Sequence, residues 1–453
     1  MARLRVPSWV WVVLVAAHAL ALGWALSKDG WDFPDSGRYL QAASNLKIHG
    51  ELYARPWPKN LPQGQAIQEF TIRPLGYPLA VLGLGGSTLG PTLLLLFQNL
   101  LSLLNLVVVL RWWARWSKPS AKEWAWATIG VLSFPAQFIY ANAVMSEILL
   151  QTAVMLLAGA AWLFIKIHKA RYFAGVTAAA ILAFLLKPVF APLVVVLAGA
   201  GVIVALRRKQ FELMLIGMIP LVVVGLYMSW NWQRTGYLHF SSIAEINVLH
   251  YNAAGVVRQV SGPRAEEKWV ATVLHEANAQ ASFAARQQII QARAGAVLRA
   301  HPWVYARQHV QGMITLLLDP GRFDLSQFLN LESPAGGGLL AQTQSVGLLR
   351  ALGSLPLTMM GVLAVVLLAN AIRLGAAAYG FWLLGQGAPF LRSARWIAGG
   401  LVLYVALLTG PLGAARFLVP VWPLLLALAL VGLSGLRVAS TLGAEEAAPM
   451  GED

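Results

Sequence analysis

Charged residues are scarce in this chain, and those that interrupt its apolar runs are equipped for chemistry. After the first apolar stretch comes Asp29-Gly30-Trp31-Asp32-Phe33-Pro34-Asp35-Ser36-Gly37-Arg38-Tyr39, a cluster of carboxylates. An amphipathic run then leads into a Pro/Gly/Tyr clasp, Arg73-Pro74-Leu75-Gly76-Tyr77-Pro78-Leu79. Two more cations stand at the ends of apolar runs: Lys187 before Pro188, and Arg416 within Gly413-Ala414-Ala415-Arg416-Phe417. A charge held well inside a bilayer costs ~2.5–3.5 kcal/mol or more, so it usually has a partner or a task. Convergence of Arg73, Lys187 and Arg416 on a membrane-embedded phosphate is one such task; snorkelling of Lys187 and Arg416 to the headgroups is the bland alternative. A carboxylate beside such cations can orient a hydroxyl or take its proton. Glu147, in Met145-Ser146-Glu147, sits at a helix start where the dipole favours it, and an ion pair with Lys187 or Arg73 is its candidate contact. Asp29 and Asp32 read either as further acids or metal ligands, or as solvated loop and cap residues.

The elements that must position these residues are membrane spans. Of 453 residues, 58% are hydrophobic and 12% charged, about half the charge of a soluble domain. The chain reads as an all-α polytopic membrane protein. Arg3 and Arg5 precede an apolar run from Trp9 to Leu26 that is long enough to cross a bilayer. We read it as an uncleaved anchor, although Ala25-Leu26-Ser27 faintly resembles a cleavage site. Arginines before it put the N-terminus in the cytoplasm and Asp35 outside. Later runs follow the same rule: 91–110 ends in Arg111, Arg115, Lys118 and Lys122; 124–141 and 144–165 form a hairpin returning to Lys166, Lys169 and Arg171; 172–186 and 189–206 return to Arg207, Arg208 and Lys209. A seventh run covers 211–230 and an eighth ends before Arg373. The interval 374–395 reads as interfacial and cytoplasmic, and 396–410 and 415–436 complete about ten spans.

The division read from this pattern is a transmembrane module, 1–230, with its first external loop at 27–90, then an external helical segment, 231–345, C-terminal spans at 346–440, and a disordered tail at 441–453. The segment 231–345 is too long for a simple connection. Glu266–Ile290 and Gln291–Leu318 carry helical apolar spacing, and Pro302 marks a helix start. Pro334-Ala335-Gly336-Gly337-Gly338 reads as a flexible stretch.

Several function classes drop out. The net charge of +15 lies largely in short clusters between spans, where it sets topology and meets anionic lipid, which argues against nucleic-acid binding. With no cysteine there is no disulfide, thiolate metal site or thiol nucleophile. The eight histidines form no His-x-x-x-His pair with an intervening glutamate, and His275-Glu276 and His301-Pro302 read as surface residues. Neither a phosphate-binding P-loop nor a Gly-x-Gly-x-x-Gly turn in strand–helix context occurs, which argues against a nucleotide-sugar donor or ATP coupling.

The combination resembles GT-C glycosyltransferases of the protein O-mannosyltransferase and aminoarabinose-transferase type. The resemblance rests on Asp35 and Tyr39 with the clasp, on Lys187-Pro188, on Met145-Ser146-Glu147, and on Arg416-Phe417 followed by Pro420 and Pro423. Where the family often has Asp-Glu this chain has Asp35-Ser36, and where it has Pro-Pro-Gly-Tyr this chain has Pro74-Leu75-Gly76-Tyr77; these departures bear on the subgroup and the sugar. The resemblance implies a GT-C fold with external juxtamembrane helices, a polyprenyl-phosphate-linked sugar as donor, and a lipid, glycan or protein acceptor. It implies Asp35 as catalytic base, direct displacement with inversion, and a multi-pass protein of the cell (inner) membrane with its site on the non-cytoplasmic face. Arg73, Lys187 and Arg416 would then meet the donor phosphate, with Asp32 and Glu147 as supporting carboxylates. Tyr39 and Tyr77 would line the sugar pocket or simply pack the loop onto the membrane. No cofactor or metal is implied with certainty. A single carboxylate suits this chemistry, because a polyprenyl phosphate leaves as a stabilised anion, whereas a glycosidase must protonate its leaving group. The rival readings are a transporter or flippase, and a polymerase or ligase using a diphosphate-linked oligosaccharide. A transporter would show paired broken helices at the midplane and two-fold repeats.

Overall fold

The structure, a computed structural model, describes residues 6–60, 62–86, 90–331 and 356–434. The flexible stretch expected at 334–338 and the tail expected from 441 lie outside the described residues. Among those described there is no strand. Eight helices among the described residues are long and apolar enough to cross a membrane: Ser8–Ser27, Thr92–Ser117, Glu147–Ile167, Pro188–Arg208, Phe211–Thr235, Leu357–Gly385, Pro389–Leu412 and Ala415–Ser434. The chain is an all-α polytopic membrane protein.

In chain order the first half holds α1 (Ser8–Ser27), α2 (Ser36–His49), α3 (Gly76–Gly83), α4 (Thr92–Ser117), α5 (Ala121–Leu132), α6 (Pro135–Ala141), α7 (Glu147–Ile167), α8 (Ala170–Leu186), α9 (Ala191–Arg208) and α10 (Phe211–Thr235). A helical layer follows: α11 (Ile243–Asn247), a π-helical turn (Val248–Ala253), α12 (Ala254–Ser261), α13 (Pro263–Asn278), α14 (Phe283–Ala300), α15 (Pro302–Leu318) and α16 (Arg322–Phe328). The chain closes with α17 (Leu357–Gly385), α18 (Pro389–Thr409), α19 (Ala415–Leu418) and α20 (Trp422–Ser434).

Two expectations about spans need correction. The run 124–141 is not one helix. It breaks at Ser133-Phe134, because the residue before Pro135 is pushed out of the helical region and Phe134 sits at φ −120°, ψ 80°. The span expected to end before Arg373 does not end there either, since α17 runs unbroken through Arg373 to Gly385 and α18 begins at Pro389. Arg373 does not end the span because it finds partners inside. Its guanidinium donates to Ser133 Oγ at 2.6 Å, Gly130 O at 3.1 Å and Asn370 Oδ1 at 2.5 Å, and lies 4.3 Å from the Trp422 ring. The α5–α6 break therefore supplies acceptors to a buried cation. In the helical layer, Pro302 does begin a helix at N1, but the boundary expected at 290/291 falls inside α14.

Basic residues gather at one end of the bundle, with Lys166 5.4 Å from the Phe390 ring and Arg208 5.8 Å from the Phe164 ring. Asp35, Lys187 and Arg416 gather at the other.

Candidate active site

Asp35 occupies the N-cap of α2 but makes no capping hydrogen bond. Its neighbour ties the loop down instead: Ser36 Oγ accepts from Phe33 N at 2.9 Å and donates to Val144 O at 3.1 Å. Val144 N in turn donates to Trp31 O at 3.1 Å. The stretch 142–146, between α6 and α7, is bound to the helices only at its ends, through Asn142 N to Ile139 O and Leu150 N to Ser146 O, and α4 supplies donors to it and to the end of α6. Gln98 Nε2 donates to Ala143 O at 2.8 Å, and Asn99 Nδ2 to Asn142 Oδ1 at 2.7 Å and Ala141 O at 3.2 Å. Irregular backbone near a membrane persists only where it is satisfied in this way. Its consequence is to start α7 at Glu147, directly at the site.

The clasp is held by close approach. A Cβ on Gly76 would lie 2.7 Å from Leu185 O, so only glycine lets this turn sit against the end of α8. Arg73, 6% exposed, then lies 4.9 Å from the Tyr39 ring, and Tyr39 meets Tyr77 edge-on at 4.7 Å. Tyr77 is fully buried, donates to Gln98 Oε1 at 2.7 Å and does not line the cavity described below. Its role here is to anchor the clasp, while Tyr39 reaches the cavity wall.

The charged residues singled out in the sequence join into one alternating chain. The Arg73 guanidinium donates to Asp35 Oδ1; Arg416 donates to Asp35 Oδ2 at 3.1 Å and to Glu147 Oε1 at 2.8 Å; Lys187 Nζ donates to Glu147 Oε1 at 2.6 Å. Glu147 is 0% exposed. Of the two partners expected for it, Lys187 is present, whereas Arg73 belongs to Asp35. The cations are therefore not free, as a bare phosphate clamp would have them. Three cations against two carboxylates leave one net positive charge. Burial alone would push Asp35 up, but the Arg73 and Arg416 guanidiniums outweigh it and hold the carboxyl at about 2. Phe417 packs between two of the cations, 5.2 Å from Lys187 and 5.3 Å from Arg416. Asp32 is exposed and stands apart from the chain.

This chain forms one wall of a cavity of about 760 Å³. Asp35, Tyr39, Arg73, Lys187 and Arg416 line it together with Val189, Leu407, Leu412 and Phe417 from the spans, and with residues of the helical layer. Asp35 is the sole carboxylate among the described residues lining it. No family model matches the chain, and no curated protein matches it. Among solved structures, it is similar to ArnT from Cupriavidus metallidurans. The crystal structure of that protein bound to undecaprenyl phosphate covers 96% of this chain and 78% of its own at 15% identity and a TM-score of 0.36. The apo structure covers 95% and 78% at 14% identity and a TM-score of 0.34.

Sequence reasoning missed the residues that hold Arg416. Asp319 Oδ2 accepts from Ala415 N at 2.9 Å, fixing the start of α19. Behind it, α15 packs backbone to backbone on the 410–413 turn: a Cβ on Gly312 would lie 2.1 Å from Gly410 O, and one on Gly413 1.9 Å from Gly312 O. The Asp319-Pro320-Gly321 turn signal was legible, but nothing local ties it to Ala415. Asp324, also unforeseen, accepts from Tyr140 Oη at 2.7 Å; burial and then the Asp319 charge push it up to about 7.

Proposed function

We propose that this protein is a GT-C-type glycosyltransferase that moves a monosaccharide from a polyprenyl-phosphate donor to an acceptor hydroxyl on the non-cytoplasmic face. The observation that carries this reading is the alternating ionic chain, with its single net positive charge, on the wall of a cavity lined in part by apolar residues of the spans. A lipid-linked sugar phosphodiester carries one negative charge and would balance it. The phosphate lies against Lys187 and Arg416, with the lipid near Val189, Leu407 and Phe417. The acceptor oxygen attacks the sugar C1 from the face opposite the phosphate. As the C1–O bond breaks, its electron pair leaves on the polyprenyl phosphate, and the hydroxyl proton passes to Asp35. Fixed cations replace the acid that an alkoxide leaving group would require.

The apo pairing leaves Asp35 a weak base. A phosphate that takes up donors of Arg416 and Arg73 loosens their hold and raises its basicity. Glu147 keeps Lys187 and Arg416 in place rather than reaching substrate.

The test is transfer of radiolabelled monosaccharide from defined polyprenyl-phosphate sugars to cell-envelope acceptors by the detergent-purified chain. Asp35→Asn should bind donor yet transfer about 10²–10⁴-fold more slowly. Near-normal turnover in that variant removes Asp35 from the role. Donor movement across vesicle membranes without transfer would favour a carrier instead.

A further inference from the structure

The Arg and Lys residues lining the cavity are Arg38, Arg73, Lys187, Arg286 and Arg416. Four of them hold a carboxylate: Arg38 pairs with Glu69 at 3.3 Å, and the other three belong to the ionic chain. Arg286 forms no ion pair among the described residues.

It is nevertheless 4% exposed, on the first turn of α14. Its Nε donates to Asn278 Oδ1 at 2.9 Å, which fixes the plane of the guanidinium. The terminal nitrogens have no hydrogen-bond acceptor among the described residues, and Arg286 lines the cavity. Glu245 attracts Arg286 from beyond ion-pairing distance; its Oε1 accepts from Gln291 Nε2 at 3.2 Å, and its Oε2 is buried without a hydrogen-bond partner among the described residues. A buried cation whose nearest counter-charge stays beyond ion-pairing distance gains from an anion that pairs with it directly. Around Arg286 the wall comes from the 64–70 segment, the end of α11 and the π-helical turn, whose Gln65, Gln68, Asn247 and Asn252 suit hydroxyl-rich ligands.

We propose that Arg286 is an anion subsite for the acceptor, which therefore carries a carboxylate or phosphate beside its reacting hydroxyl. This rests on the glycosyltransferase reading, in which the donor phosphate is met by the ionic chain and the acceptor fills the rest of the cavity. A planar guanidinium whose two terminal nitrogens are free pairs best with a planar or tetrahedral oxyanion.

The experiment is equilibrium binding to the full detergent-purified chain, without donor, of three probes: methyl glucoside, methyl glucuronoside and methyl glucoside 6-phosphate. The wild type should bind at least one anionic probe about tenfold or more tightly than the neutral one. Preference for the glucuronoside identifies an acceptor carboxylate, and preference for the 6-phosphate an acceptor phosphate. Arg286→Gln should erase the preference and Arg286→Lys retain part of it, while Arg293→Gln, an exposed residue outside the cavity, leaves it intact; Lys187→Ala tests capture of the anion at the donor end instead. Should the Gln variant not fold, Arg286→Met keeps the packed stem and gives the same reading. No preference in the wild type, an unchanged preference in both neutral variants, or one lost in Lys187→Ala alone would overturn the proposal. Because no transfer is measured, this result stands apart from the success or failure of the glycosyltransferase assay.

Discussion

Replacing Arg73 with Gln tests the electrostatic reading at its most sensitive point. Arg73 touches the ionic chain only through Asp35, and it is the strongest of the influences that lower the Asp35 pKa. The carboxyl is held at about 2 against an ordinary 3.8, a difference worth ~2.5 kcal/mol. Since the folded value lies below the unfolded one, this stabilisation is complete above about pH 4 and disappears as the pH falls through about 2. Without Arg73, burial still disfavours the charge and only Arg416 opposes it. The carboxyl should then return to about 4–5, and stability at neutral pH should drop by ~1–3 kcal/mol. The assay is kcat/KM against pH with one donor, which reports the free enzyme's essential base. The wild type should show no acid limb down to the lowest pH at which the protein survives in detergent, whereas Arg73→Gln should show one near pH 4–5. Tyr39→Phe, which keeps the ring beneath the guanidinium, should behave as wild type. Identical acid limbs in wild type and Arg73→Gln would refute the reasoning.

Loss of Lys187 or Arg416 to Ala should weaken donor-lipid affinity about 10–100-fold, from a charged hydrogen bond of ~1.5–3 kcal/mol, and Arg416→Lys should restore only part because it cannot bridge Asp35 and Glu147 in one plane; unchanged affinity in both alanine variants would sink the phosphate role. Gly312→Val should destabilise the protein by ~1–3 kcal/mol or more and lower donor affinity, because the added Cβ meets Gly410 O at 2.1 Å; a wild-type melting temperature would show that the contact can relax. The chain has no native cysteine, so Trp303→Cys and Lys209→Cys can be labelled in intact cells: the first should react with an impermeant thiol reagent and the second only after permeabilisation. The reverse pattern would put the site in the cytoplasm.

Much of the fold was legible because lipid imposes an apolar composition and a minimum length on each span, and basic residues mark its cytoplasmic end. The misreadings came from tertiary partners. Arg373 looked like a topological stop because its acceptors, Gly130 O and Ser133 Oγ, lie far away in sequence. The 124–141 run hid its break although Pro135 announced it, since hydropathy does not register backbone geometry. At the site, Arg73, Lys187 and Arg416 were found by their misfit with the charge pattern and Asp35 by the carboxylate cluster and the family resemblance, and the structure brings all four together. Their pairing by two carboxylates was only half visible, because Glu147 touches Arg416 from a distant part of the chain. Arg286 was silent: on an amphipathic helix one arginine resembles any other until burial singles it out.

The ionic chain also has an order of manufacture. Asp35 lies 38 positions from Arg73, and Glu147 lies 40 from Lys187, so each carboxylate meets a counter-ion synthesised soon after it. Arg416 follows Glu147 by 269 positions and Asp35 by 381. A chain that is inserted as it is made thus carries two separately neutralised half-sites through most of its synthesis. The final hairpin, α18 to α20, welds them together. Until it docks, each of the two carboxylates faces a single cation.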